Sequence, residues 1–97
     1  MWLFFMNEQR LWIACLVQGL TDACNKFLWQ SRLNSKYYQD ALNWVGGKDF
    51  RLVCSFAGLE PRDVIEAYNN INKHKHYLTV EDIRYLLNET FSRRSVL

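Results

Sequence analysis

The sequence has one proline, Pro61, and only four glycines in 97 residues. Many-stranded folds need frequent turns, and turns draw heavily on both residue types, so helices are the expected element. A dominant charge is missing too. Twelve Lys and Arg stand against ten Asp and Glu, a formal net charge of +2. The balance holds in each half, with five basic and four acidic side chains in residues 1–50 and seven and six in residues 51–97. There is no polybasic tail, so an anionic partner is neither demanded nor excluded.

Cysteine is scarce. Cys15, Cys24 and Cys54 are an odd number without C-x-x-C spacing, which argues against a complete disulfide framework. All three fall among apolar neighbours, which predicts reduced, buried thiols and a cytoplasmic location. Long apolar runs are lacking. Residues 1–6, MWLFFM, are far too few to span a bilayer, for which about 20 are needed. Arg10 followed by Leu11 to Leu20 has the outline of a signal peptide, but Gln18 and Gly19 interrupt it and Asp22 occupies the cleavage region. No membrane association is expected. Either residues 1–6 are expected to be disordered, or residues 1–5 to precede a translation start at Met6.

Catalytic signatures are absent as well: the sequence holds no Gly-rich phosphate loop, no H-E-x-x-H and no G-x-S-x-G. His74 and His76 form a His-x-His pair, but the neighbouring lysines repel cations and no third ligand stands at metal-site spacing. The sequence predicts neither an enzyme nor a bound cofactor or metal.

What is present is apolar: 49% of residues, with 15% aromatic. That predicts a single all-α domain over residues 1–97, a bundle of about five helices. In residues 7–30, Trp12, Ile13, Leu16, Val17, Leu20, Ala23, Cys24, Phe27 and Leu28 recur at threes and fours, the spacing of one broad helical face. Gly19 weakens the middle of this helix by about 1 kcal/mol relative to Ala. Its apolar width also suits a homodimer seam, which Trp12 and Trp29 would enlarge. Ser35 is a fitting cap for a second helix over residues 36–45, with Tyr38, Ala41, Leu42 and Val45 inward and Gly46-Gly47 ending it. Lys26, Arg32 and Lys36 bracket the first connection beside Tyr37 and Tyr38.

Asp49 is placed to cap a third helix over residues 50–57. Phe50, Val53, Cys54 and Ala57 share one face, and Leu52 and Phe56 form a second line expected to be covered. A fourth helix, residues 61–71, buries Val64, Ala67, Tyr68 and Ile71, with Ile65 beside them. After a basic linker, residues 73–76, Thr79 starts a fifth helix with Asp82 completing a capping box and Leu78 and Ile83 a hydrophobic staple. Ile83, Leu86, Leu87 and Phe91 are its inward stripe; Arg84, Asn88 and Glu89 face out, and residues 92–97 read as a loose basic tail.

Residues 49–72 carry the most specific pattern. Two short helices meet at Ala57-Gly58-Leu59-Glu60-Pro61, with Gly58 free to take positive φ and Pro61 tolerated at a first helical position. Small Cys54 lies four residues before the glycine, Leu59 directly after it, Val64 six after and Ala67 nine after. Closely crossing helices need such choices, and the outline is that of a helix-turn-helix. The second helix of that motif reads the major groove through its early outward side chains. Across residues 60–72 one arginine faces three acids, a charge of −2. Arg62 and Asn69 suit guanine and adenine edges, while phosphates fall to Lys48, Arg51, Lys73 and Lys75. The expected partner is DNA or RNA; the alternative is a protein held through the helix of residues 60–72, or a homodimer through residues 7–30.

The order Tyr38-Gln-Asp-Ala-Leu-Asn-Trp-Val, Asp49-Phe50, Val53-Cys54, Ala57-Gly58-Leu59-Glu60-Pro61 and Val64 resembles small uncharacterised phage and prophage proteins of alphaproteobacteria. Trp12 and the Asp22-Ala23 pair match as well, so the resemblance covers about residues 12–67. Glu60 departs from the Asp usual there, a weaker helix cap. The resemblance implies a mobile-element origin and a small helical fold, and carries no catalytic residue.

Overall fold

A 22-residue helix, α1 (Trp2–Ala23), is the axis on which the chain is built. The computed structural model describes the backbone of residues 2–94 and the side chains of residues 8–94. Within them follow α2 (Asn34–Trp44), α3 (Lys48–Phe56), α4 (Pro61–Lys73), a 3-10 turn (Lys75–Tyr77) and α5 (Val80–Arg94). The expected all-α bundle of five helices is what forms. α2, α3 and α5 all pack on α1, and α4 closes the bundle against α3 and α5. Arg84 meets Gln18, while Asn88 and Ser92 lie beside Arg10 and Ile13, so α5 runs antiparallel to α1.

α1 begins at Trp2, so the backbone of residues 2–6, expected as disordered, is helical. It also stops seven residues before Gln30. Asn25 takes φ 61°, and its N–H and that of Lys26 bond to the carbonyls of Asp22 and Thr21. That is a Schellman ending built on Asn, the residue other than Gly that best tolerates the left-handed region. Phe27 and Leu28, in register with the apolar stripe, therefore leave the helix, and Leu28 and Trp29 are exposed. The seam expected from Trp12 and Trp29 is not one face: Trp12 packs on Phe56 of α3 at 4.9 Å, and Trp29 belongs to the loop.

Other boundaries moved for local reasons. α2 starts at Asn34 behind Leu33 with no side-chain cap bond, because the serine that acts is Ser31, whose hydroxyl accepts the Leu33 N–H. Only Ala41 of its expected inward face is fully buried; Leu42 is exposed. Gly46, at φ 81°, is the glycine that takes the left-handed position. α3 starts at Lys48 behind Gly47, which puts Asp49 in the first turn and not at the cap. Leu52 is exposed and Phe56 is covered only in part, by Trp12, so the second line of α3 is less covered than expected. In α5 the capping box forms reciprocally: Thr79 N–H donates to Asp82 Oδ2 and Asp82 N–H to Thr79 Oγ1, each at 3.1 Å. Ile83, Leu87 and Phe91 are buried, but Leu86 is exposed and Arg84 folds back onto α1. Ser92 to Arg94, expected as loose tail, are helical; residues 95–97 lie outside the described residues.

Gly19 has a packing role that propensity alone conceals. A Cβ there would stand 2.5 Å from Cζ3 of Trp44, whose ring lies edge-on to Phe50 at 5.1 Å. Gly19→Ala is expected to destabilise by about 1–3 kcal/mol through overpacking, where helix propensity predicts a gain of about 1. Urea melts of Gly19→Ala with and without Trp44→Leu check this. A single variant as stable as the parent would mean that the indole simply steps aside.

Candidate nucleic-acid interface

The turn between α3 and α4 sets the placement of the candidate residues. Gly58, at φ 73°, lets its own N–H reach Ser55 carbonyl at 3.1 Å and the Leu59 N–H reach Cys54 carbonyl at 2.9 Å. This ending turns Leu59 into the core, where it is buried along with Cys54, Ala57 and Val64. Glu60 is extended and makes no side-chain cap bond, and Pro61 opens α4 without needing a donor.

On α4, Arg62, Glu66, Asn69 and Lys73 are spaced by four, three and four, which puts them on one face, and all four are exposed. The other two acids stand off this stripe. Glu60 precedes the helix, and Asp63 is half-buried with Oδ1 3.9 Å from Arg94 Nη1 on α5. The outward stripe therefore carries two cations against one acid, whereas the linear segment of residues 60–73 sums to −1. On α3, Lys48, Arg51 and Ser55 share an outward face, with exposed Leu52 and Phe56 alongside.

The six candidates do not gather at one point. Arg62 and Lys73 are separated by about 16 Å along α4, and Lys48 and Arg51 stand on another helix. Lys75 is half-buried in the 3-10 turn beyond the end of α4. There it joins a residue outside that set. Burial pushes the Cys24 thiol up to about 11, and the charges of Lys75 and then Lys26 act against that shift. No spacing joins positions 26 and 75 in the sequence; a hydrogen bond does so indirectly, Tyr68 Oη donating to Ala23 carbonyl at 2.8 Å and fastening α4 to the end of α1.

Beside this end lies a cleft of about 450 Å³ lined by Gln18, Asp22, Lys26, Trp29, Tyr37 and Arg84, among others. Arg84 donates to Gln18 Oε1, and Gln18 Nε2 donates to Asp22 Oδ1 at 2.9 Å. Burial raises the Asp22 carboxyl above its ordinary range, with Gln18 and Arg84 pulling the other way. Cys15, expected to be buried, is exposed; Cys24 and Cys54 are buried and, at about 11, protonated near neutral pH. His74 Nδ1 lies 3.1 Å from Asn70 carbonyl. Among the described residues no three His, Cys, Asp or Glu side chains converge to hold a metal ion, and no helix is long and apolar enough to cross a membrane. No family model, curated protein or solved structure matches the chain.

Proposed function

We propose that this chain is a small nucleic-acid-binding protein, of mobile-element origin, that uses α3 and α4 as a helix-turn-helix pair. The observation that carries the reading is the outward stripe of α4, where Arg62, Asn69 and Lys73 stand exposed and Asp63 is drawn aside toward Arg94. Arg62 and Asn69 present the donor and acceptor groups that read base edges. Lys48, Arg51, Lys73 and Lys75 hold phosphates from the flanks. Fluorescence anisotropy with duplex DNA across a salt series tests it. Binding at about 50 mM salt should weaken steeply as salt rises, and Lys73→Ala should lower the slope by about 1. No binding at low salt, or binding indifferent to salt, would refute the reading.

A helical protein-interaction module without nucleic-acid binding or enzymatic activity is the second reading. It draws on Leu52, a large apolar side chain left open on α3, and on Phe56 beside it, which Trp12 covers only in part. A pull-down from the host with Leu52→Ser/Phe56→Ser should lose the partners recovered by the parent if that face is the contact; an unchanged partner list rejects it.

A further inference from the structure

Two connections far apart in sequence come together at one end of the bundle. Residues 24–33 leave the end of α1, and residues 74–79 leave the end of α4. Two links join them: the Tyr68–Ala23 hydrogen bond, and the cleft that Trp29 and Val80 line together. Val80 is three residues beyond Tyr77. Each connection carries one bare aromatic: Trp29 is 81% exposed and Tyr77 86%, the two highest values among the large hydrophobics described.

The cations at this end have an ordinary use, since Lys26, Lys73 and Lys75 all stand near helix carboxyl ends, where positive charge is favoured. That use does not account for a Trp and a Tyr left in water on the same two connections. Of the nearby acids, Asp22 accepts from Gln18 and Asp82 accepts the Thr79 N–H, while Glu81 stands exposed in the first turn of α5. Along these two segments the exposed Trp29 and Tyr77 are interleaved with Arg32, Lys73, Lys75, His74 and His76. Aromatic faces beside a basic track are what unpaired bases and their phosphates need. In a duplex those base faces are stacked and closed to side chains.

We propose that this end of the bundle binds single-stranded nucleic acid, with bases stacked on Trp29 and Tyr77 and the backbone drawn across Lys26, Lys73 and Lys75. The cleft beside Trp29, with Tyr37 on its wall, gives a splayed base room to enter. The surface is distinct from the outward stripe of α4 and shares with the helix-turn-helix reading only Lys73 and Lys75.

The test uses the full chain, a fluorescein-labelled 20-nucleotide single strand in DNA and RNA versions, and a duplex of the same sequence, all at low salt. Trp29→Ala and Tyr77→Ala remove side chains that contribute little to the core, and matching circular dichroism and melting curves verify the fold. Each should weaken single-strand binding roughly 10-fold or more, Trp29→Phe should retain most of it, and Arg62→Ala/Asn69→Ala should leave it unchanged. Single strands left unbound, or bound equally by the Trp29→Ala/Tyr77→Ala variant, would overturn the proposal. Duplex binding without single-strand binding overturns it while leaving the α3–α4 reading intact; single-strand binding lost with the two aromatics, and no duplex binding, does the reverse. A surface that serves a protein instead gives no oligonucleotide binding, and the proposal falls.

Discussion

Phe50→Ala should cost about 3–5 kcal/mol, the range for emptying a fully buried aromatic site. Phe50 has no exposed surface and stands in the first turn of α3. Its ring lies edge-on to Trp44 at the end of α2, and Trp44 in turn lies over Gly19 of α1. One side chain thus fixes the approach of two helices to the axis. Truncating it leaves a cavity and also unseats the indole, whose other neighbour is a glycine with no side chain to hold it. For a domain with the usual 5–15 kcal/mol of stability, the loss is about a fifth of the total or more. Urea denaturation followed by far-ultraviolet circular dichroism reads it as a lower midpoint, and the near-ultraviolet tryptophan signal should change with it. Leu52→Ala, two residues along and 53% exposed, is the control and should stay within about 0.5 kcal/mol. Equal losses for the two variants would mean that Phe50 does not set the packing of α2 and α3.

The same region separates what is legible in a sequence from what is not. Local punctuation was legible because its chemistry lies within a few residues. Gly58 with Pro61 fixes the α3–α4 turn, and Thr79 with Asp82 forms the capping box of α5. The end of α1 was misread for the opposite reason. The apolar spacing runs unbroken through Phe27 and Leu28, and only the backbone of Asn25 reveals that the chain has already left the helix. Periodicity has no means of registering a left-handed residue other than glycine.

The centre of the fold was hidden as well. Residues 49–72 dominate the sequence by pattern, yet the helix that the others share is α1, because its contacts lie dozens of residues away. Gly19 shows the consequence: a weak spot by propensity is the seat of Trp44 once α2 folds back. Candidate site residues fared in the same way. Summing charge along residues 60–72 returns −2, but the helix places Glu60 and Asp63 off the outward stripe and Asp63 near Arg94, 31 residues on. Lys26 and Lys75 are far apart in sequence, and only tertiary packing, the Tyr68–Ala23 hydrogen bond included, ties the helix that each one follows to the other.

Raising the pH from 8 to 11 should destabilise the fold by a few kcal/mol. Cys24 and Cys54 are fully buried, and burial pushes both thiols from an ordinary 9.0 up to about 11. Burial likewise takes Tyr68 from 10.0 up to about 12, with the neighbouring Cys24 adding to the shift. In each case the fold favours the neutral, protonated form. The unfolded chain gives up these protons first, so the contribution is whole below pH 9 and is lost as pH climbs, through about 11 for the thiols and about 12 for the phenol. After allowance for solvent screening, each thiol accounts for about 1–2 kcal/mol. Tyr68 adds a structural loss, because only the neutral phenol can donate to Ala23 carbonyl and hold α4 to the end of α1. Urea midpoints from pH 7 to 11 measure the sum. A Cys24→Ala/Cys54→Ala variant should be weaker at pH 7, from its two small cavities, yet flatter between pH 9 and 11. That difference in slope isolates the thiols from surface lysines, which lose charge in the same range and are common to both proteins. A thiol reagent at pH 8 should label the folded chain once, at exposed Cys15. A parent midpoint that holds level to pH 11, or a variant with the same slope, would show that the buried thiols ionise without strain on the fold.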